Sequence, residues 1–176
     1  MAQRGLIHVY HGNGKGKTTC GMGLCVRAAG AGKKVLIYQF LKSGRSSELN
    51  ILSHIPEITI MEAKSDAKFT FCMSDEEKTE CKKYYTEKFQ EIKKEVIDGD
   101  YDVLYMDESL HMMKQGLLDE DMVIDFLKNK PEKLEVILNG YDPSDKLREV
   151  ADYISFIQKE KHPFDQGIPA RVGIEK

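Results

Sequence analysis

Residues 12 to 19 read Gly12-Asn13-Gly14-Lys15-Gly16-Lys17-Thr18-Thr19, a run whose residue types suit phosphate. Glycines let successive amides turn inward around anionic oxygens, and a helix opening at this point adds partial positive charge. Lys17 is spaced to reach a phosphate as a point charge, and Thr18 to set its hydroxyl on Mg²⁺. A second pair, Asp107-Glu108, closes an apolar run. Carboxylates placed there, downstream of such a loop, hold a metal's shell or act on it and on water. The loop itself is one residue short. The usual pattern puts four residues between its first glycine and the Gly-Lys pair, and counting back from Gly16 lands on His11. Only Asn13, Gly14 and Lys15 separate Gly12 from Gly16. A ring this tight keeps its amides but cannot grip a triphosphate in the usual register. A ligand-free glycine turn between strand and helix is the alternative reading.

These groups need a scaffold, and the apolar periodicity supplies one. Strands are expected at about Leu6 to Tyr10, Lys33 to Phe40, Glu57 to Met61, Tyr101 to Met106, Leu134 to Asn139 and Tyr153 to Ile157. Near-continuous apolar runs of this kind suit a parallel sheet covered on both faces. Helices are expected from about Lys17 to Ala29 and from the capping box at Ser74–Glu77 to Gly99. A third spans Asp119 to Lys130, and a short one starts at Asp142-Pro143. Alternating strands and helices imply one three-layer α/β domain over residues 1–176, with a mostly parallel sheet of about six strands. Ligands of such sheets gather at the carboxyl ends of the strands. The Gly12–Thr19 loop, Gln39–Lys42 and Asp107-Glu108 all fall at such ends. Between Glu62 and Met73 the pattern fails; this stretch carries Phe69, Phe71 and Met73, and it either covers a ligand or is tacked to the core by its rings.

Composition narrows the partners. Lys+Arg 26 against Asp+Glu 29 leaves a net charge of -3 with no polybasic block, which argues against nucleic acid. No apolar run approaches the ~20 residues of a membrane span, so no membrane partner is expected and the cytoplasm is the expected compartment. Cys20, Cys25, Cys72 and Cys81 lack metal-binding spacing and read as reduced, mostly buried thiols, Cys20 as a small packing residue.

The shortened loop resembles that of the ATP:corrinoid adenosyltransferases, and the likeness runs along nearly the whole chain. Arg27-Ala28-Ala29-Gly30 resembles the family's Arg-Ala-x-Gly. Gln39-Phe40-Leu41-Lys42 with Glu48 resembles its Gln-Phe-x-Lys and following Glu. Phe69-Thr70-Phe71 resembles its Phe-Thr-Trp, and Asp107-Glu108 its Asp-Glu. Late in the chain, Lys161-His162-Pro163-Phe164-Asp165-Gln166-Gly167 resembles Lys-His-x-Phe-x-x-Gly. Three positions depart: Asn139-Gly140-Tyr141 stands where Thr-Gly-Arg is frequent, Phe71 replaces Trp, and Ser43 precedes the glycine after Lys42.

The resemblance implies a P-loop NTPase-like fold and a specific reaction. Co(I) of a corrinoid attacks the 5′ carbon of ATP, and the whole triphosphate leaves. ATP and the corrinoid are the substrates, Mg²⁺ the metal, a reduced flavoprotein a suitable electron donor, and a homodimer the expected assembly. It further implies that Gly12, Asn13, Gly14, Lys15, Gly16, Lys17, Thr18 and Thr19 bind ATP, with Arg27 as a further charge clamp. Thr18 and Glu108 would hold Mg²⁺ with Asp107 in or near its outer shell, and Phe69 and Phe71 would pack on the corrin and displace its lower axial ligand. Two other readings stay open: a P-loop kinase or ATPase acting on the γ-phosphate, and a non-catalytic relative that binds nucleotide or corrinoid.

Overall fold

A computed structural model of the protein describes residues 4–40, 46–63 and 74–175. Six strands form one sheet: β1 (Ile7–His11), β2 (Val35–Gln39), β3 (Ile58–Ile60), β4 (Val103–Asp107), β5 (Glu135–Gly140) and β6 (Tyr153–Phe156). Every pairing is parallel and the spatial order is β3-β2-β4-β5-β1-β6. The acidic strand β4 therefore does not touch the loop strand β1, because β5 lies between them. That insertion decides which side chains can meet at the carboxyl edge.

Alternation along the strands builds two cores. Leu36, Tyr38, Leu104, Met106, Val136 and Leu138 face α3 (Asp75–Asp98), α4 (Ser109–Lys114), α5 (Glu120–Asn129) and α6 (Asp145–Val150). Their neighbours Val35, Ile37, Val103, Tyr105 and Ile137 face α1 (Lys17–Gly30) and α2 (Leu49–Leu52). Both faces are thus covered, as the unbroken apolar runs require. The long helix α3 buries Cys81, Tyr85, Phe89, Ile92 and Val96, its 3.6-residue stripe. Its start is locked by the expected box: Ser74 Oγ accepts from Glu77 N at 3.2 Å, and Glu77 Oε2 accepts from Ser74 N at 2.9 Å.

Five details differ from the sequence expectation. Strand β1 runs one residue further, so His11 belongs to the sheet. Helix α4 was not foreseen; six residues are too few for a helical period to register. Helix α6 is capped by Ser144, whose hydroxyl accepts from Leu147 N at 3.1 Å, and not by Asp142, which instead pairs with Lys114 at 2.9 Å. Cys25 and Cys81 are buried, but Cys20 is exposed because the first turn of α1 turns that face to solvent. The tail, expected as loop, holds a single 3-10 turn at Pro163–Gln166. Phe69, Phe71, Cys72 and Leu41–Lys42 lie outside the described residues.

Close approach of α1 to the sheet depends on Gly21. A Cβ added there would fall 2.4 Å from Cζ of Tyr105, a fully buried ring tied down by its hydroxyl. Gly21→Ala improves helix propensity yet should destabilise the fold by about 1–3 kcal/mol through overpacking. Urea unfolding checks this, and a midpoint at or above that of the unchanged protein would mean the ring gives way freely.

Candidate functional site

At the carboxyl edge of the sheet, the chain leaves β1 and turns sharply into α1. Gly16 sits at the helix N-cap with φ of 114°, a left-handed conformation that a side chain would strain. No side chain caps this helix start, so its first amides face the space beyond. Lys17 folds over the turn and donates from Nζ to Gly14 O at 2.8 Å. Burial lowers the Lys17 pKa, while Glu108 and Asp107 pull the other way.

Beneath the loop lies a buried carboxylate. Asp107 is fully buried, and its Oδ1 accepts from Thr18 Oγ1 at 3.0 Å, Tyr105 OH at 2.7 Å and Asn139 Nδ2 at 2.7 Å. Its Oδ2 accepts from Gln39 Nε2 at 2.9 Å. Four donors from α1, β2, β4 and β5 converge on one ion, which is how a buried charge is tolerated. Burial, then the neighbouring Asp107 charge, pushes the Tyr105 phenol well above its ordinary range, so it serves as a neutral donor. Asn139 does double duty: its Nδ2 also donates to Tyr105 OH at 2.7 Å, and its Oδ1 accepts from Glu108 N at 2.6 Å.

Glu108 carries the strain of this junction. Its φ is 62°, left-handed and uncommon for a residue with a side chain. The conformation turns the chain from β4 into α4 and leaves the Glu108 side chain on the wall of a cavity of about 370 Å³. Asn13 to Thr19 form one side of that cavity; His162, Pro163, Phe164 and Glu175 stand among the residues opposite.

The tail is fastened to the loop. Gly14 N donates to Ile157 O at 2.8 Å, and Lys159 N donates to Asn13 Oδ1 at 2.9 Å. Lys15 Nζ lies 4.0 Å from Glu175 Oε1.

The structure thus brings together Lys15, Lys17, Thr18, Thr19 and Glu108 with the loop backbone. Asn13 and Gly16 also line the cavity, while Gly14, Gly12 and Arg27 stand differently. Gly14 lines the cavity, but its amide is already committed to Ile157 and is not offered to a ligand. Gly12 is buried below the loop against Phe156 and Ile157, outside the lining. Arg27 is exposed in the last turn of α1, about 15 Å along the helix from Lys17, and is not brought to the loop. Its charge acts on the Tyr10 phenol instead. His11 takes the place of the missing glycine; it is buried, tilted against Phe156 at 5.2 Å, and its pKa is lowered first by burial.

Tyr105, Asn139 and Glu175 were not anticipated. The available signal for the first two was a polar group at or near the carboxyl end of an apolar strand. A divalent cation would find hard oxygens at Thr18 and Glu108. The buried Oε1 of Gln39, on the side chain that donates to Asp107, has no hydrogen-bond partner among the described residues, which leaves it able to accept from a bound water. Among the described residues there is no cluster of three or more His, Cys, Asp or Glu able to enclose a metal. A hydroxyl, one carboxylate and ligand phosphates are instead the donor set that suits Mg²⁺.

Comparison with known proteins gives this geometry a context. The profile of the family described as ATP:corrinoid adenosyltransferase BtuR/CobO/CobP matches residues 3–175. The corrinoid adenosyltransferase of Escherichia coli (strain K12) is 34% identical over 177 residues, covering 98% of this chain and 86% of that protein. Corrinoid adenosyltransferase CobA of Salmonella typhimurium is 33% identical over 182 residues, with the same coverage of 98% and 86%. Among solved structures, a KaiC-like protein from Pyrococcus horikoshii OT3 aligns with a TM-score of 0.52 at 12% identity. It covers 90% of this chain and 75% of that one, and the likeness shows the fold alone.

Removing the charge at the hub tests its structural part. Asp107→Asn places an amide against four donors and keeps one acceptor oxygen, so either Gln39 or the trio Thr18, Tyr105 and Asn139 is left facing an NH₂ group. A loss of about 2–4 kcal/mol in urea unfolding is expected. A change within about 0.5 kcal/mol would mean that the network is not load-sharing.

Proposed function

Because the chain belongs to the ATP:corrinoid adenosyltransferase family, we propose that it transfers the 5′-deoxyadenosyl group of ATP to Co(I) of a corrinoid and releases triphosphate. The observation that carries the residue assignment is the grouping of Lys17, Thr18 and Glu108 around one cavity beside the loop. The Co(I) electron pair becomes the bond to C5′, the C5′–O bond breaks, and the triphosphate leaves with the electron pair of that broken bond. No protein nucleophile takes part. The chain's task is to hold the triphosphate and aim C5′ outward, so rate comes from positioning and electrostatics.

In this reading Lys17, Lys15 and the first amides of α1 hold the phosphates. Lys17 exchanges its bond to Gly14 O for a phosphate oxygen. Thr18, positioned by Asp107, and Glu108, positioned by Asn139, hold Mg²⁺, which when bound neutralises charge gathering on the leaving group. Asp107 serves the outer shell, since its Oδ1 is occupied by three donors. Phe69 and Phe71 remain the residues assigned to the corrin face. A reduced flavoprotein is the proposed source of the electron. Free Cys20, Cys25 and Cys81 and the lack of any helix long and apolar enough to cross a membrane, among the described residues, fit a cytoplasmic protein. The edge strand β6, with Tyr153 and Phe156 exposed, supports a homodimer.

ATP hydrolysis is the second reading, favoured by one feature: Glu108 lines the phosphate cavity and is able to orient water there. Product analysis separates the two. Incubation with ATP, Mg²⁺ and chemically reduced corrinoid should give inorganic triphosphate and adenosylated corrinoid in equal amounts, with negligible ADP when corrinoid is left out. Steady ADP release without corrinoid would instead establish the ATPase.

Two substitutions locate the roles. Lys17→Ala should abolish turnover while shifting unfolding by less than about 1 kcal/mol, since a ligand-facing lysine buries little. Glu108→Gln should lower the rate and weaken the Mg²⁺ requirement together, because it removes a hard anionic oxygen while keeping the shape. An unchanged Mg²⁺ titration would move the metal role to another group.

A further inference from the structure

We propose that Glu175 is a built-in competitor for Lys15 that helps expel the triphosphate product. The idea rests on the functional reading above, since it concerns release from the same cavity. Beyond the Glu108 carboxylate assigned to the metal, the tail places a second one on the cavity wall facing the loop, 4.0 Å from the Lys15 ammonium.

Its position is held from behind. Arg171 donates to Glu175 Oε2 from Nε at 3.1 Å and from its backbone N at 2.9 Å, and to Oε1 from Nη2 at 2.9 Å. Those bonds keep the Glu175 carboxyl acidic, at about 2, so it remains an anion at any working pH. Its side chain is 17% exposed, against 58% for Arg171 and 50% for Lys15. Earlier in the tail, Ile157 and Lys159 are bonded to the loop through Gly14 N to Ile157 O and Lys159 N to Asn13 Oδ1. Glu175 is thus a negative charge, held by Arg171, at the mouth of a site for negative charge.

The consequence follows from charge. A triphosphate that takes Lys15 must displace Glu175 and then sit beside it. ATP bears this cost with the help of contacts to its adenosine. Once the C5′–O bond breaks, the freed oxygen gains a negative charge and the adenosine contacts no longer belong to the same molecule. The product is therefore repelled more than the substrate, and Glu175 returns to Lys15 as it leaves.

Calorimetric titration with inorganic triphosphate and Mg²⁺ tests this on the full chain. Glu175→Gln should bind triphosphate about fivefold tighter than the unchanged protein, the scale of a partly exposed ion pair. The gain should shrink when Lys15→Ala is present in both proteins, because the ion-pair share of it is then gone and only direct repulsion from Glu175 is left. Equal or weaker binding by Glu175→Gln overturns the proposal. So does a gain of undiminished size without Lys15, which would trace it to a freed Arg171 and not to competition for Lys15. Failure of both the unchanged protein and the variant to bind triphosphate would count against the phosphate-loop reading itself, and the proposal would fall with it.

Discussion

The buried Asp107 carboxylate is the interaction on which the carboxyl edge of this sheet depends. It collects donors from α1, β2, β4 and β5, four elements far apart in sequence. Each donor is itself placed by the fold. Tyr105 reaches Asp107 from the same strand, Asn139 from the strand inserted between loop and acid, and Thr18 from the first turn of the helix. An ion at this depth costs several kcal/mol in lost hydration unless every lone pair is used. The network meets that demand and, in doing so, fixes the loop against the sheet.

The same network explains the division of labour between the two adjacent acids. Asp107 ends the regular strand and points into the protein; Glu108 follows in a left-handed conformation and faces the cavity. Asn139 Oδ1 holds the Glu108 amide in that turn. One residue builds the floor, and the next presents chemistry above it. A strained backbone persists at Glu108 because the hydrogen bond and the onset of α4 both enforce it.

Much of the scaffold was legible in the sequence, for a physical reason. Strands buried on both faces must be apolar without interruption, and β2, β4 and β5 announce themselves that way. The loop and Asp107-Glu108 stood out because residue types were specific and their strand-end positions followed from those runs. Asn139 and Tyr105 did not stand out. Each is a single polar group in an apolar run, and its meaning depends on strand order, which no local pattern encodes. The short helices α4 and α6 escaped or shifted because a few residues cannot establish a period. Arg27 was assigned by resemblance, and its place at the far end of α1 shows how helix length separates residues that motif order groups together. Gly14 was read as a ligand amide because sequence shows which residues can offer an N–H, but not which other partner reaches it first.

The bonds between the phosphate loop and the tail join residues near opposite ends of the chain; Asn13 and Lys159 are 146 positions apart. Loop closure over that span comes late, since distant contacts form only after the intervening chain is ordered. During synthesis the loop leaves the ribosome well before the segment that ties it down, which follows 146 positions later. A nascent chain therefore carries the phosphate-binding sequence long before it carries the finished site. The loop is thus untied until residues 157–159 have been made, and a chain cut before them keeps the motif without the hold.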